Sequence, residues 1–128
     1  MPTSQKTIYA LVVDDNRLTA DSVSQMLNFL GVETRVCYGP RDAMVVLKDF
    51  TPDIVFTDIN MPGLNGFEIS GYLRRIPDLT GVPIVYITSD DQPETGRKAH
   101  KTGALLIIIK PVTLEGLENA LEKAGLKT

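Results

Sequence analysis

Short apolar runs recur along the chain at Ile8 to Val13, Glu33 to Val36, Ile54 to Thr57, Pro83 to Thr88 and Leu105 to Ile109, and a longer segment with helical features follows each. That alternation predicts five βα units. Four of the runs are continuously apolar in the middle, the pattern of strands covered on both faces, so a parallel sheet with helices on either side is expected. After the first run, Leu18, Val23, Met26, Leu27 and Leu30 recur at helical spacing and Gly31 supplies a left-handed stop. Pro40 opens the second helix, whose stripe of Ala43, Val46, Leu47 and Phe50 runs to Pro52. The third starts after Gly66, turns Phe67, Leu73 and Ile76 inward, and ends at Pro77. The fifth begins at a Thr113 N-cap and carries Leu114, Leu117, Ala120, Leu121 and Ala124 to Gly125.

The fourth crossover, Asp90 to Thr102, departs from this pattern. Ala99 is its one clearly apolar side chain, and Pro93 and Gly96 lower helix propensity, so this helix is expected to be weakly held. Right-handed crossovers give a doubly wound α/β sandwich, and such sheets bind ligands beyond the carboxyl ends of their strands. The length of 128 residues suits one domain over residues 7–126, after a polar tail at 1–6 and with no output domain.

Charge narrows the partners. The formal net charge is −3 and no Lys/Arg run occurs, which argues against direct nucleic-acid or membrane binding. The longest strongly apolar run, Ala104 to Ile109, is too short to span a bilayer, and residues 1–6, polar and with no apolar h-region behind them, are not expected to act as a leader. A lone cysteine, Cys37, forms no internal disulfide and sits beside apolar Val36, as a reduced core residue would; a cytoplasmic location is expected.

The strand ends carry the chemistry. Asp14 and Asp15 follow the first run, Asp58 the third and Lys110 the fifth, while Thr88 closes the fourth. Topology brings them to one edge of one sheet. Unit charges of like sign about 4 Å apart repel by roughly 4 kcal/mol at an effective dielectric of about 20, so three carboxylates facing one ammonium call for a cation. A hard divalent ion such as Mg²⁺ (or Mn²⁺) takes oxygen ligands and keeps positions for water and phosphate. A carboxylate beside it can act as a nucleophile toward phosphorus, forming an acyl phosphate.

The motifs Val12-Val13-Asp14-Asp15-Asn16, Thr57-Asp58-Ile59-Asn60-Met61-Pro62-Gly63-Leu64-Asn65-Gly66, Ile87-Thr88-Ser89, Gly103-Ala104 and Lys110-Pro111 occur in an order and spacing that closely resembles the CheY-like receiver domain of two-component response regulators. The resemblance spans nearly the whole chain and implies a flavodoxin-like (βα)5 three-layer sandwich, its five-stranded parallel sheet in the order 2-1-3-4-5. It also implies that Asp58 is the phosphoacceptor, that Asp14, Asp15, Asp58 and the backbone carbonyl of Asn60 hold the metal, and that Lys110 pairs with the phosphoryl group. Thr88 would hydrogen-bond a phosphoryl oxygen, Asn60 and Asp90 would flank the group, and the Lys110-Pro111 bond would be cis. The implied phosphodonor is a histidine kinase or phosphotransfer protein. Readout would pass to a downstream protein, or to a second copy, through the fourth helix, fifth strand and fifth helix.

The chain departs from the receiver pattern where an aromatic is usual before the lysine, a position assigned to Ile108, and in the apolar run Ala104 to Ile109 on an expected edge strand. Two other readings stay open. A phosphatase of the haloacid-dehalogenase type also uses a strand-end aspartate and Mg²⁺, but expects a second Asp two positions after the first-strand nucleophile, where this chain has Asn16. A receiver-like scaffold that works without phosphorylation is the other.

Overall fold

The computed structural model describes residues 6–63 and 65–126, so residues 1–5 of the expected tail, Leu64, Lys127 and Thr128 lie outside it. In chain order the elements are β1 (Ile8–Val13), α1 (Arg17–Phe29), β2 (Val32–Cys37), α2 (Pro40–Val46), β3 (Ile54–Asp58), α3 (Gly66–Arg75), a single 3₁₀ turn (Pro77–Leu79), β4 (Ile84–Thr88), α4 (Pro93–Lys101), β5 (Leu106–Ile109) and α5 (Leu114–Lys123). The sheet order is β2-β1-β3-β4-β5, with every pairing parallel, as expected.

Alternation along the strands splits the apolar side chains into two cores. Ala10, Val12, Phe56, Val85, Ile87 and Ile108 face Val23 and Leu27 of α1 and Leu117 and Leu121 of α5. Leu11, Val13, Val55, Ile84 and Tyr86 face Ala43 of α2, Ile69 and Leu73 of α3 and Ala99 of α4. β1, β3 and β4 are buried from end to end except at Tyr9, which is why they read as apolar runs.

Helix ends follow local chemistry. Asn16 and Thr113 cap α1 and α5 by accepting from Thr19 and Gly116 N–H groups, and Asn65 forms a reciprocal capping box with Glu68 at α3. α2 ends at Val46, short of the expected stripe, because Lys48 and Asp49 N–H groups bond only three residues back. Phe50 packs instead edge-on against the Tyr9 ring and under the Arg35 guanidinium. Leu18, expected to face inward, is 79% exposed, since the buried stripe of α1 runs through Ala20, Val23, Ser24 and Leu27. Leu114 in the first turn of α5 is also exposed, to 41%.

α4 forms as a helix with Pro at its first turn, Glu94 near its start and Lys98, His100 and Lys101 near its end, all favourable to the helix dipole. Ala99 is its one buried side chain, so packing contributes little, as the sequence predicts. Gly103, at φ 78°, closes it while Ala104 N–H reaches back to the Ala99 carbonyl.

Gly66 is where packing touches function. Its N–H donates to the Ile59 carbonyl at 2.9 Å, and a Cβ there would overlap the Asp58 carbonyl oxygen and approach the Ile59 Cα to 3.0 Å. Only glycine lets α3 start against the backbone that carries Asp58. Gly66→Ala should therefore destabilise the fold by about 1–3 kcal/mol, measured by urea denaturation. Gly71→Ala on the same helix meets nothing within 4 Å and should stabilise by roughly 0.5–1 kcal/mol.

Candidate functional site

At the carboxyl ends of β1 and β3, Asp14 and Asp58 are buried to 3% and 7% exposure, while Asp15 is exposed. One carboxylate oxygen from each of the three lies within 4.8 Å of the others, so the structure brings the predicted trio together. Lys110, at the end of β5, reaches across to bridge two of them, its Nζ 3.2 Å from Asp14 Oδ2 and 3.6 Å from Asp58 Oδ2. The Lys110-Pro111 bond is cis, and the Lys110 N–H donates to the Thr88 carbonyl at 2.8 Å, tying the lysine to the end of β4.

Backbone groups position each acid. Asp14 Oδ1 accepts the Asn16 N–H at 2.9 Å, and the Asp14 N–H donates to the Cys37 carbonyl, which joins it to β2. Asp58 Oδ1 receives a long bond from the Asn60 N–H at 3.4 Å. Burial, and then the neighbouring Asp14 charge, push the Asp58 carboxyl above its ordinary value of 3.8, although Lys110 and the Asn60 and Ile59 N–H groups act in the opposite direction. Three carboxylates against one ammonium leave an excess of two negative charges. The donor set is all hard oxygen, with Asp15 open to solvent, and it fits a small divalent cation that keeps part of its water shell.

Thr88 is fully buried on the side chain's own face of β4, and its Oγ1 accepts the Asp90 N–H at 3.1 Å. The Asp90 carboxylate, expected beside the phosphoryl group, is engaged by the start of α4. It accepts the Thr95 hydroxyl at 2.7 Å and the Gln92 N–H at 2.9 Å, and these bonds hold its carboxyl below the usual range. Thr88 is thus linked to α4 through Asp90.

The departure assigned to Ile108 falls on the other side of the sheet. Register pairs Ile108 with Ile87, in the core beneath α1 and α5, whereas Ile107 pairs with Tyr86 and shares the face of Thr88. A period of two along a strand makes this one-residue difference decisive. Both positions are isoleucine, so the aromatic on the Thr88 face of these two strands is Tyr86 of β4, fully buried and edge-on to Phe67 at 5.2 Å. The apolar run Pro83 to Thr88 places Tyr86 in a buried strand but does not point to its hydroxyl partners, Ser70 and Thr102. The available signal was a phenol in a strand otherwise built from hydrocarbon, since a buried tyrosine hydroxyl needs a partner.

Comparison with known proteins agrees with this geometry. Residues 10–122 match the family described as response regulator receiver domain. The sensor histidine kinase RcsC of Salmonella typhi is 31% identical over 127 residues, covering 94% of this chain but 13% of that protein. Protein PilH of Pseudomonas aeruginosa is 30% identical over 107 residues, covering 84% of this chain and 88% of PilH. The chain thus spans a small part of RcsC and most of PilH. Among solved structures, the chemotaxis response regulator CheY4 of Vibrio cholerae superposes with a TM-score of 0.85 at 27% identity, covering 93% of this chain and 99% of CheY4. With the fold, the strand-end acids and the family match in agreement, this chain belongs to the response regulator receiver domain family.

Proposed function

We propose that Asp58 is the phosphoacceptor of this receiver, phosphorylated by a histidine kinase or phosphotransfer protein. The observation that carries the reading is the ammonium of Lys110 set between Asp14 and Asp58, at the one sheet edge where three carboxylates converge. A carboxylate oxygen of Asp58 attacks phosphorus in line with the leaving group; the bond from phosphorus to the donor imidazole breaks, and that nitrogen takes up a proton. Lys110 stabilises charge on the transferring oxygens, and Asp14 holds Lys110 in place. Asp14, Asp15, Asp58 and the Asn60 carbonyl would hold Mg²⁺ or Mn²⁺, whose chemistry is to neutralise developing charge and orient phosphoryl oxygens. Catalysis extends only to the chain's own phosphorylation and dephosphorylation.

A donor that reaches Asp58 meets the groove lined by Leu18, Met26, Lys110 and Val112, where the exposure of Leu18 offers an apolar contact. Readout passes through α4, β5 and α5 to a downstream protein or a second copy. α4 is lightly packed there, and Ile109 on the edge strand is 44% exposed. Among the described residues no helix is long and apolar enough to cross a membrane. A cytoplasmic location suits this reading.

Intact-mass analysis with acetyl phosphate and Mg²⁺ tests it. Wild type should gain one phosphoryl group and Asp58→Asn none; Lys110→Ala should slow uptake about 100-fold or more. Unmodified wild type would move the reading to the phosphorylation-independent scaffold.

Stability gives a second check. Because the folded chain raises the Asp58 carboxyl above 3.8, the folded state binds this proton more readily than the unfolded one, and stability falls as pH rises through the raised value. Without divalent metal, Asp58→Asn should therefore melt higher than wild type at pH 7, and the difference should close as the pH drops below the unfolded value. Adding Mg²⁺ should raise the melting temperature of wild type more than that of the variant, as differential scanning calorimetry will read.

A further inference from the structure

A chain of hydroxyl groups runs beneath the sheet from the Asp58 loop to the end of α4. Gly66, bonded to the Ile59 carbonyl through its N–H, accepts the Ser70 hydroxyl at its own carbonyl at 3.2 Å. Ser70 Oγ lies 2.5 Å from Tyr86 Oη, and Tyr86 Oη lies 2.9 Å from Thr102 Oγ1. Thr102 Oγ1 lies 2.7 Å from the Ala99 carbonyl. Tyr86 is fully buried, its ring held by Phe67, so its oxygen is a fixed point to which the last turn of α4 is attached.

The two ends of α4 are held differently. Its start hangs from Asp90, whose N–H is given to Thr88 Oγ1. Its end is held by Ala99, the one buried side chain of the helix, and by the Thr102 contact with Tyr86. The hydroxyl chain has four contacts but each of its three hydroxyls carries one proton, so one contact always lacks a hydrogen. When Thr102 shifts, Tyr86 can turn its proton to Ser70, and no buried donor is left unpaired. Such a contact permits rotation, whereas the start of α4 is released as soon as the Thr88 hydroxyl turns away from Asp90.

We infer that Tyr86 and Thr102 form the pivot about which α4 swings when Thr88 turns from Asp90 to the phosphorylated Asp58. The inference rests on the proposed roles of Asp58 and Thr88; Tyr86 acts through α4 and is a positioning residue. It places a tyrosine of β4 in the coupling of site to surface, on the sheet face where β5 carries Ile107.

Amide hydrogen exchange on the whole chain, read by mass spectrometry or NMR, tests the pivot in two arms. Without phosphodonor, Tyr86→Phe should speed exchange at Thr102, Gly103 and Ala104 by roughly three- to tenfold, with the amides of β1 and β3 unchanged. Thr102→Ser, which keeps the hydroxyl, should exchange like wild type. With acetyl phosphate and Mg²⁺, and occupancy followed by intact mass, wild type should lose protection at Gln92, Thr95 and Gly96 but keep it at Thr102 to Ala104. Phosphorylated Tyr86→Phe should lose it at both ends.

Unchanged protection of residues 102–104 in unphosphorylated Tyr86→Phe overturns the pivot, as does a uniform rise that includes β1 and β3. Loss of protection confined to residues 102–104 in phosphorylated wild type overturns the direction of the swing. A wild type that gains no phosphoryl mass overturns the role of Asp58, and the unphosphorylated arm then decides the attachment of α4 by itself.

Discussion

The Lys110 ammonium stands 3.2 Å from one nearly buried carboxylate and 3.6 Å from another, and the carboxyl edge of the sheet is arranged around that contact. Asp14 and Asp58 are both acids at the ends of adjacent strands, so the parallel order of β1 and β3 forces like charges together. Repulsion of this kind costs several kcal/mol unless it is compensated. The lysine from β5 supplies part of the compensation, and the rest of the excess charge makes the cleft receptive to a divalent cation and then to a phosphoryl group. The raised carboxyl of Asp58 records the same imbalance. A site left in electrostatic debt by its own fold is poised to change when a ligand alters its charge.

That local imbalance can reach the surface because the helix that follows Thr88 is lightly held. α1 and α3 each bury four residues, whereas α4 buries Ala99 alone and depends on polar contacts at its ends. One of those contacts originates at Thr88, in the cleft, and another at Tyr86, beneath it. Elements with few buried contacts open at low free-energy cost, so a modest difference in interaction at Thr88 is enough to shift their population. The strongly packed strands hold the acids still, and the weakly packed helix is free to respond.

The pattern of apolar runs made the five strands and the weakness of α4 legible before any coordinates, because parallel strands buried on both faces leave a strong signal, whereas the strand order was implied by the resemblance to receiver domains. The strand-end acids, Thr88 and Lys110 were legible for a related reason, since a polar group that closes an apolar run stands out. Helix faces were harder to read. Leu18 falls at an apolar spacing yet lies outside the buried stripe, and α2 stops before Phe50, whose ring packs against Tyr9 and Arg35. Strand facing was harder still: the difference between Ile107 and Ile108 depends on register, which the pairing with β4 sets. The hydroxyl chain through Ser70, Tyr86 and Thr102 joins three elements distant in sequence, and no local pattern announces it.

The central claim, proposed above, is that Asp58, and not its acidic neighbours, is the group that accepts phosphorus. Borohydride reduction of the chain after treatment with acetyl phosphate and Mg²⁺ converts an acyl-phosphate aspartate to homoserine, which peptide mass spectrometry locates. The account predicts homoserine at position 58, with Asp14 and Asp15 unaltered. Homoserine at position 14 or 15, or none anywhere in the chain, would contradict it.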